Sequence, residues 1–243
     1  MFDFNLINQK FKDYVYNFNL DNKKIMLKYY HSIEVANISY ELANKLNLSE
    51  EEKNLAKLIG YLHDIGRFKQ VTITGSFKDK NIDHADIGIK ILFEEGLIRN
   101  FINDNKYDEI IKKAIKYHNK YKVPDSLSDK ERLFTNIIRD SDKIDIFRVK
   151  IENYNNVILE APSSKIIKYI NDGKPINIVD TKNKTDSLLC TMAFIFDFNY
   201  KESIKILKDK GYYKKFLDSI EVNDSNKELF NEIKNKLLER LEV

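Results

Sequence analysis

The chain has no tryptophan, one cysteine, three prolines and seven glycines among its 243 residues. A single Cys190 excludes an intramolecular disulfide and suits a reducing compartment. No uninterrupted apolar run approaches the roughly 20 residues that span a bilayer, so no membrane partner is expected. The opening MFDFNLINQKFKDYV lacks a basic flank ahead of an apolar block and does not read as a signal peptide, which gives a cytoplasmic expectation. An excess of one charge is missing too. The formal charge is +3 and lysines alternate with acids, so the basic stripe that nucleic-acid binding would need is not evident. What remains is a globular balance of 42% apolar and 33% charged residues.

So few glycines and prolines leave long uninterrupted segments, and apolar residues recur at three and four rather than alternating. The expectation is an all-α protein. The pattern predicts helices over about 3–17, 22–46, 50–63, 84–95, 107–119, 129–149, 163–171, 185–198, 201–209, 212–220 and 226–241. Ser49 with Glu52 has capping-box spacing, and Asp83 is placed to cap the helix that follows it. Arg67 to Asp83 reads as the longest loop, a wall or lid for a site. No internal repeat or low-complexity linker occurs. The domain expectation is a core over 1–150 with a helical extension over 151–243 packed on it. In that extension SLLCTMAFIFDF at 187–198 reads as a buried helix, with Asp197 the partner of a nearby lysine, and NDGKP at 171–175 reads as a helix stop.

The helical registers bring polar groups to positions where leucine would be expected. Leu27, His31, Val35, Ile38 and Leu42 share one stripe, and so do Ile111, Ala114, Ile115 and His118. Phe134, Ile138, Asp142 and Asp145 share a face, and His63 and Asp64 close the helix before them in the set, one turn after Ile59 and Gly60. Taken singly, each histidine reads as a satisfied core or helix-end residue, and Asp142 as a partner for Lys143 or Arg139. Taken together they include all four histidines of the chain. Buried carboxylates and imidazoles need compensation, and divalent cations held by nitrogen and oxygen would supply it for all six positions at once.

The ordered residues His31, HDIGRF at 63–68, DHADIGIKIL with His84, KYHNKY with His118 and RDSDKIDIFRV with Asp142 resemble the HD superfamily of metal-dependent phosphohydrolases over about residues 25–150. The resemblance implies an HD-type helical bundle in which His31, His63, Asp64 and Asp142 bind one metal. His84 and His118 match the branch with two, so it further implies a dinuclear centre bridged by Asp64. The HDIG segment is also similar to the HD-GYP cyclic-dinucleotide phosphodiesterases, although RFKQ follows it and no GYP occurs. The ligand set resembles, in addition, the hydrolases that split dinucleoside tetraphosphates symmetrically.

Two cations about 3.5–4 Å apart can activate a bridging water to hydroxide and stabilise charge on a phosphoryl group. No side-chain nucleophile is needed, and no serine lies in a G-x-S-x-G setting. Arg67, three residues past Asp64, is the first choice for holding a phosphate oxygen, and Lys143 is placed to neutralise a leaving group. Asp145 is placed to orient a ligating histidine. The mixed donor set suits iron or manganese, then zinc or nickel, better than magnesium. The expected substrate is a small phosphorylated molecule, a nucleotide above all: a phosphomonoester, a cyclic or dinucleotide, or a nucleoside polyphosphate. A dinuclear-iron oxygenase of the same superfamily and a noncatalytic nucleotide-sensing module are the alternative readings.

Overall fold

The computed structural model of the protein describes residues 2–79, 82–153 and 160–242. Helices make up the fold, and no strand occurs among the described residues. The chain divides into two compact units, Met1–Asp145 and Ile146–Val243.

The first unit contains α1 (Phe4–Val15), α2 (Lys23–Lys45), α3 (Glu50–Leu62), α4 (Ile65–Thr74), α5 (His84–Ile89), α6 (Asp108–Tyr117) and the larger part of α7 (Asp129–Asn153). Helix α3 begins with the Ser49–Glu52 capping box, and Asp83 caps α5 through the Ala85 amide. The α2–α3 pair packs so closely that a Cβ on Gly60 would stand 2.4 Å from Ala36 Cα. That approach is what sets His31 on α2 opposite the end of α3. Buried Ile7, Phe11 and Val15 seat α1 on the bundle.

The stretch expected as a loop from Arg67 is helical as far as Thr74, and only the residues after Gly75 are irregular, with 80–81 outside the described residues. Gly66 and the β-branched run V-T-I-T lower helix propensity there, so local reading favours a loop. Burial overrides it. Ile65, Phe68 and Val71 are buried, with Phe68 packed 6.0 Å from Phe11 and 6.0 Å from Tyr14, ring centre to ring centre. Gly75, at φ 64°, ends the helix. After α5 the expected helix widens into a π turn at Lys90–Glu94.

The second unit holds the end of α7 with α8 (Ser164–Asn171), α9 (Lys184–Met192), α10 (Lys201–Lys210), α11 (Tyr212–Asp218) and α12 (Lys227–Glu239). The expected helix over 187–198 stops at Met192 and continues as a 3-10 turn, Ala193–Asp197. NDGKP is a helix stop: Gly173 and Lys174 amides bond back to Ile170 and Tyr169 carbonyls. An aromatic core joins Phe147 to Tyr213 at 4.9 Å and Phe216 at 5.6 Å. Cys190 is buried, its thiol pushed up to about 11 by that burial, which leaves it inert as a nucleophile.

Asp186 is fully buried at the start of α9 and accepts hydrogen bonds from Ser163 N at 2.8 Å, Ser163 Oγ at 2.6 Å and Lys182 N at 2.9 Å. Burial alone would raise its pKa, but these bonds outweigh it and hold the carboxyl below its ordinary range. Its stabilising contribution is therefore complete above about pH 4 and is lost as pH falls through the lower folded value. Asp186→Asn turns an acceptor into a donor against these N–H and O–H groups and is expected to cost about 1–3 kcal/mol at pH 7. Denaturation from pH 7 to 3 should show the gap to wild type closing as pH drops. A gap independent of pH would rule out this role. Gly60→Ala is expected to destabilise by about 1–3 kcal/mol in urea unfolding, because the obstacle is backbone and cannot swing aside.

Candidate metal centre

Five helices meet at one point. His31 projects from α2, His63 ends α3, and Asp64 occupies the break before α4 with φ −106° and ψ 16°. His84 opens α5, His118 follows α6 and Asp142 lies on α7. The HDIG sequence explains the break: Ile65 turns into the core, and Gly66 lets α4 touch α5. A Cβ on Gly66 would lie 2.1 Å from the His84 carbonyl oxygen. The structure brings all six residues together. Ligand atoms of His31, His63 and Asp64 lie within 4.8 Å of one another, and so do those of Asp64, His84 and His118, and of His63, His118 and Asp142.

Each imidazole is fixed from behind. His63 Nδ1 donates to Gly60 O at 2.7 Å and His118 Nδ1 to Ile115 O at 2.6 Å, so both rings satisfy a carbonyl at their own helix C-terminus. His31 Nδ1 donates to Asp145 Oδ2 at 2.6 Å and His84 Nδ1 to Asp79 Oδ1 at 2.8 Å. With Nδ1 protonated in every ring, four Nε2 lone pairs converge. His84 and His118 Nε2 are 3.0 Å apart, a separation at which two lone pairs repel unless a proton or cation lies between them. His31 and His63 Nε2 are buried without a hydrogen-bond partner, although Asp142 Oδ1 is 3.0 Å from the first and 3.7 Å from the second. Acceptors face acceptors, which is the donor set a soft-to-intermediate divalent cation fits.

Asp64 divides the set. Its Oδ2 faces His31 Nε2 at 3.6 Å and His63 Nε2 at 3.4 Å, while Oδ1 faces His84 Nε2 at 3.1 Å and His118 Nε2 at 3.8 Å. Burial opposes ionisation of Asp64, but Lys28 and His63 hold it well below the usual carboxylate range. Asp142 is held down likewise, against its burial, by His31 and His63. Burial would depress His63, yet the charges of Asp64 and Asp142 raise it to about 9, whereas burial with His84 and His63 alongside takes His118 down to about 4. The acids thus favour a proton at His63 that a cation would displace.

Around this set Arg67 lies beside Asp64, its Nε 3.5 Å from Oδ1, with its guanidinium engaged elsewhere: Nη1 donates to Gln70 Oε1, the Phe77 carbonyl and Asp79 Oδ1 at 2.7, 2.7 and 2.9 Å. Lys143 is buried next to Asp142. Arg139 donates to the carbonyls of Tyr117, His118 and Lys120, closing the end of α6 behind His118. Three site residues escape sequence reading. Lys28, three residues before His31 and therefore on its face, reaches Asp64 Oδ2 at 2.5 Å; helical spacing could have found it. Asp79 sits in irregular chain, and buried Gln70 lies in a helix that reads as loop, so no periodicity marks either one.

Residues 29–146 match the HD domain family, a span that holds all six converging residues. The chain is 28% identical over 171 residues to ribonuclease Y of Mycoplasmoides gallisepticum, covering 65% of this chain. It spans only 28% of that relative's length. No solved structure matches the chain.

Loss of Asp64 should remove the shared carboxylate. Asp64→Ala is expected to lower metal content per chain to below one ion, measured by plasma emission on anaerobically purified protein. His84→Ala should keep one ion and lose the other. Two ions retained at full occupancy in His84→Ala would remove His84 from the set, and a single ion in wild type that His84→Ala leaves unchanged would replace the six-residue set with a four-residue, single-ion one.

Proposed function

We propose that the protein is a metal-dependent phosphohydrolase that cleaves a phosphate ester of a nucleotide at a dinuclear centre held by His31, His63, Asp64, His84, His118 and Asp142, with iron or manganese as the metal. The observation that carries this reading is the convergence of four imidazole Nε2 atoms, those of His31 and His63 without a hydrogen-bond partner, on the two oxygens of one buried carboxylate. The HD domain over 29–146 supports the reaction class. The likeness to a protein named a ribonuclease supports a phosphodiester among the candidate bonds.

When bound, the cations supply Lewis acidity that activates water and stabilises charge on the phosphoryl oxygens. Asp64 divides its two oxygens between the nitrogen pairs, and Asp142 completes the pair on the His31 side. Asp145 and Asp79 keep the Nδ1 protons of His31 and His84, so these rings present one tautomer throughout. Arg67 is committed to Asp79 through its Nη atoms, and its Nε, buried without a hydrogen-bond partner 3.5 Å from Asp64 Oδ1, adjoins the shared carboxylate. Lys143, beside Asp142, is the side chain assigned to the leaving group.

The deciding experiment loads the protein with iron or manganese and assays p-nitrophenyl esters, cyclic dinucleotides, dinucleoside polyphosphates and short RNA. Turnover of one phosphate-ester class, abolished by chelation and restored by metal, is the expected result. Oxygen consumption with no phosphate-ester turnover would move the assignment to an oxygenase.

A further inference from the structure

Lys28 places a positive group directly against the centre. Its Nζ stands 2.5 Å from Asp64 Oδ2, the oxygen that faces His31 and His63, and the side chain retains 14% of its exposure. The set is therefore not sealed from solvent at Lys28, nor at Asp142, whose side chain retains 18%. Phe77, half-buried, holds it from the other side, with Nζ 5.5 Å from the ring centre. Arg67 flanks the same ring, its Cζ at 5.9 Å, but is bonded to Asp79, Gln70 and the Phe77 carbonyl. The two cations beside Asp64 thus differ in commitment. Arg67 is fixed in a fork geometry against a carboxylate that itself orients His84. Lys28 compensates only the charge that cations at the centre would take over, and its flexible stem can re-aim a strongly hydrated ammonium.

We infer that Lys28 is the side chain that engages the substrate's phosphate oxygens beside the metal centre, a role resting on the function proposed above. Phosphate adjoining Asp64 would otherwise meet one carboxylate edge. The ammonium converts that edge into a donor site, and the aromatic face of Phe77 limits how far the ammonium can withdraw. Lys28 and Arg67 then divide the work: one binds the anion, the other builds the pocket through Asp79 and His84.

The test uses the 243-residue chain loaded with Mn(II), with metal content measured first and inorganic phosphate then titrated by calorimetry. Lys28→Met is expected to keep wild-type metal content and to bind phosphate roughly tenfold more weakly or worse. Lys28→Arg, which keeps the charge, should recover affinity to within about threefold of wild type. Lys28→Gln replaces Lys28→Met should the latter not fold, since it keeps a donor for Asp64. Unchanged phosphate affinity in a neutral variant with full metal content overturns the inference. So does loss of metal together with phosphate, which would make Lys28 a positioning residue for Asp64. Failure of the wild-type protein to hold Mn(II), iron or any other divalent metal would overturn the metal-centre reading itself, a result distinct from either.

Discussion

The arrangement at the centre depends on hydrogen bonds directed away from it. An imidazole buried in a helical core can rotate or change tautomer, and either change would turn a lone pair into a proton. Here each Nδ1–H has an acceptor behind it, two of them helix-terminal carbonyls and two of them carboxylates. The carbonyl cases cost the fold little, since C-terminal carbonyls need donors in any helix. The carboxylate cases cost more. Asp145 is fully buried, and Asp79 must be gathered from irregular chain by Arg67 and Gln70. Polar pre-orientation of this kind makes a site selective for what fills it, because no single-proton arrangement satisfies four converging nitrogens and two acids.

Close backbone approach carries that orientation into the helices. Gly60 against Ala36 and Gly66 against the His84 carbonyl leave no room for a side chain, so α2, α3, α4 and α5 keep their spacing through main-chain contact. Side chains can repack around a small disturbance; backbone in contact cannot. His31, His63, Asp64 and His84 are therefore placed by helices whose backbones are in direct contact.

Much of this was legible in the sequence, for identifiable reasons. His31, His118 and Asp142 fall on apolar stripes, and period 3.6 is a strong signal on long helices. The Ser49–Glu52 and Asp83 caps are local chemistry. Helix α4 was hidden because its stability comes from Phe68 meeting Phe11 and Tyr14 of a distant helix, not from its own residues. Asp79 was hidden for the opposite reason: irregular chain has no period. Arg67 was legible as a neighbour of Asp64 from its distance along the chain, and that distance says nothing of the three acceptors that receive its Nη1.

The His31–Asp145 hydrogen bond joins residues 114 apart in the chain, at the far end of the first unit. Contacts that distant in sequence close late in folding, after loop entropy has been overcome by nearer ones. A partly folded chain, or one still being synthesised, has the histidines without the geometry. A cation bound at the completed centre consequently stabilises only the finished bundle, by an amount that grows with its free concentration over its dissociation constant. Metal supply would then act on the lifetime of the protein in the cell as well as on its chemistry.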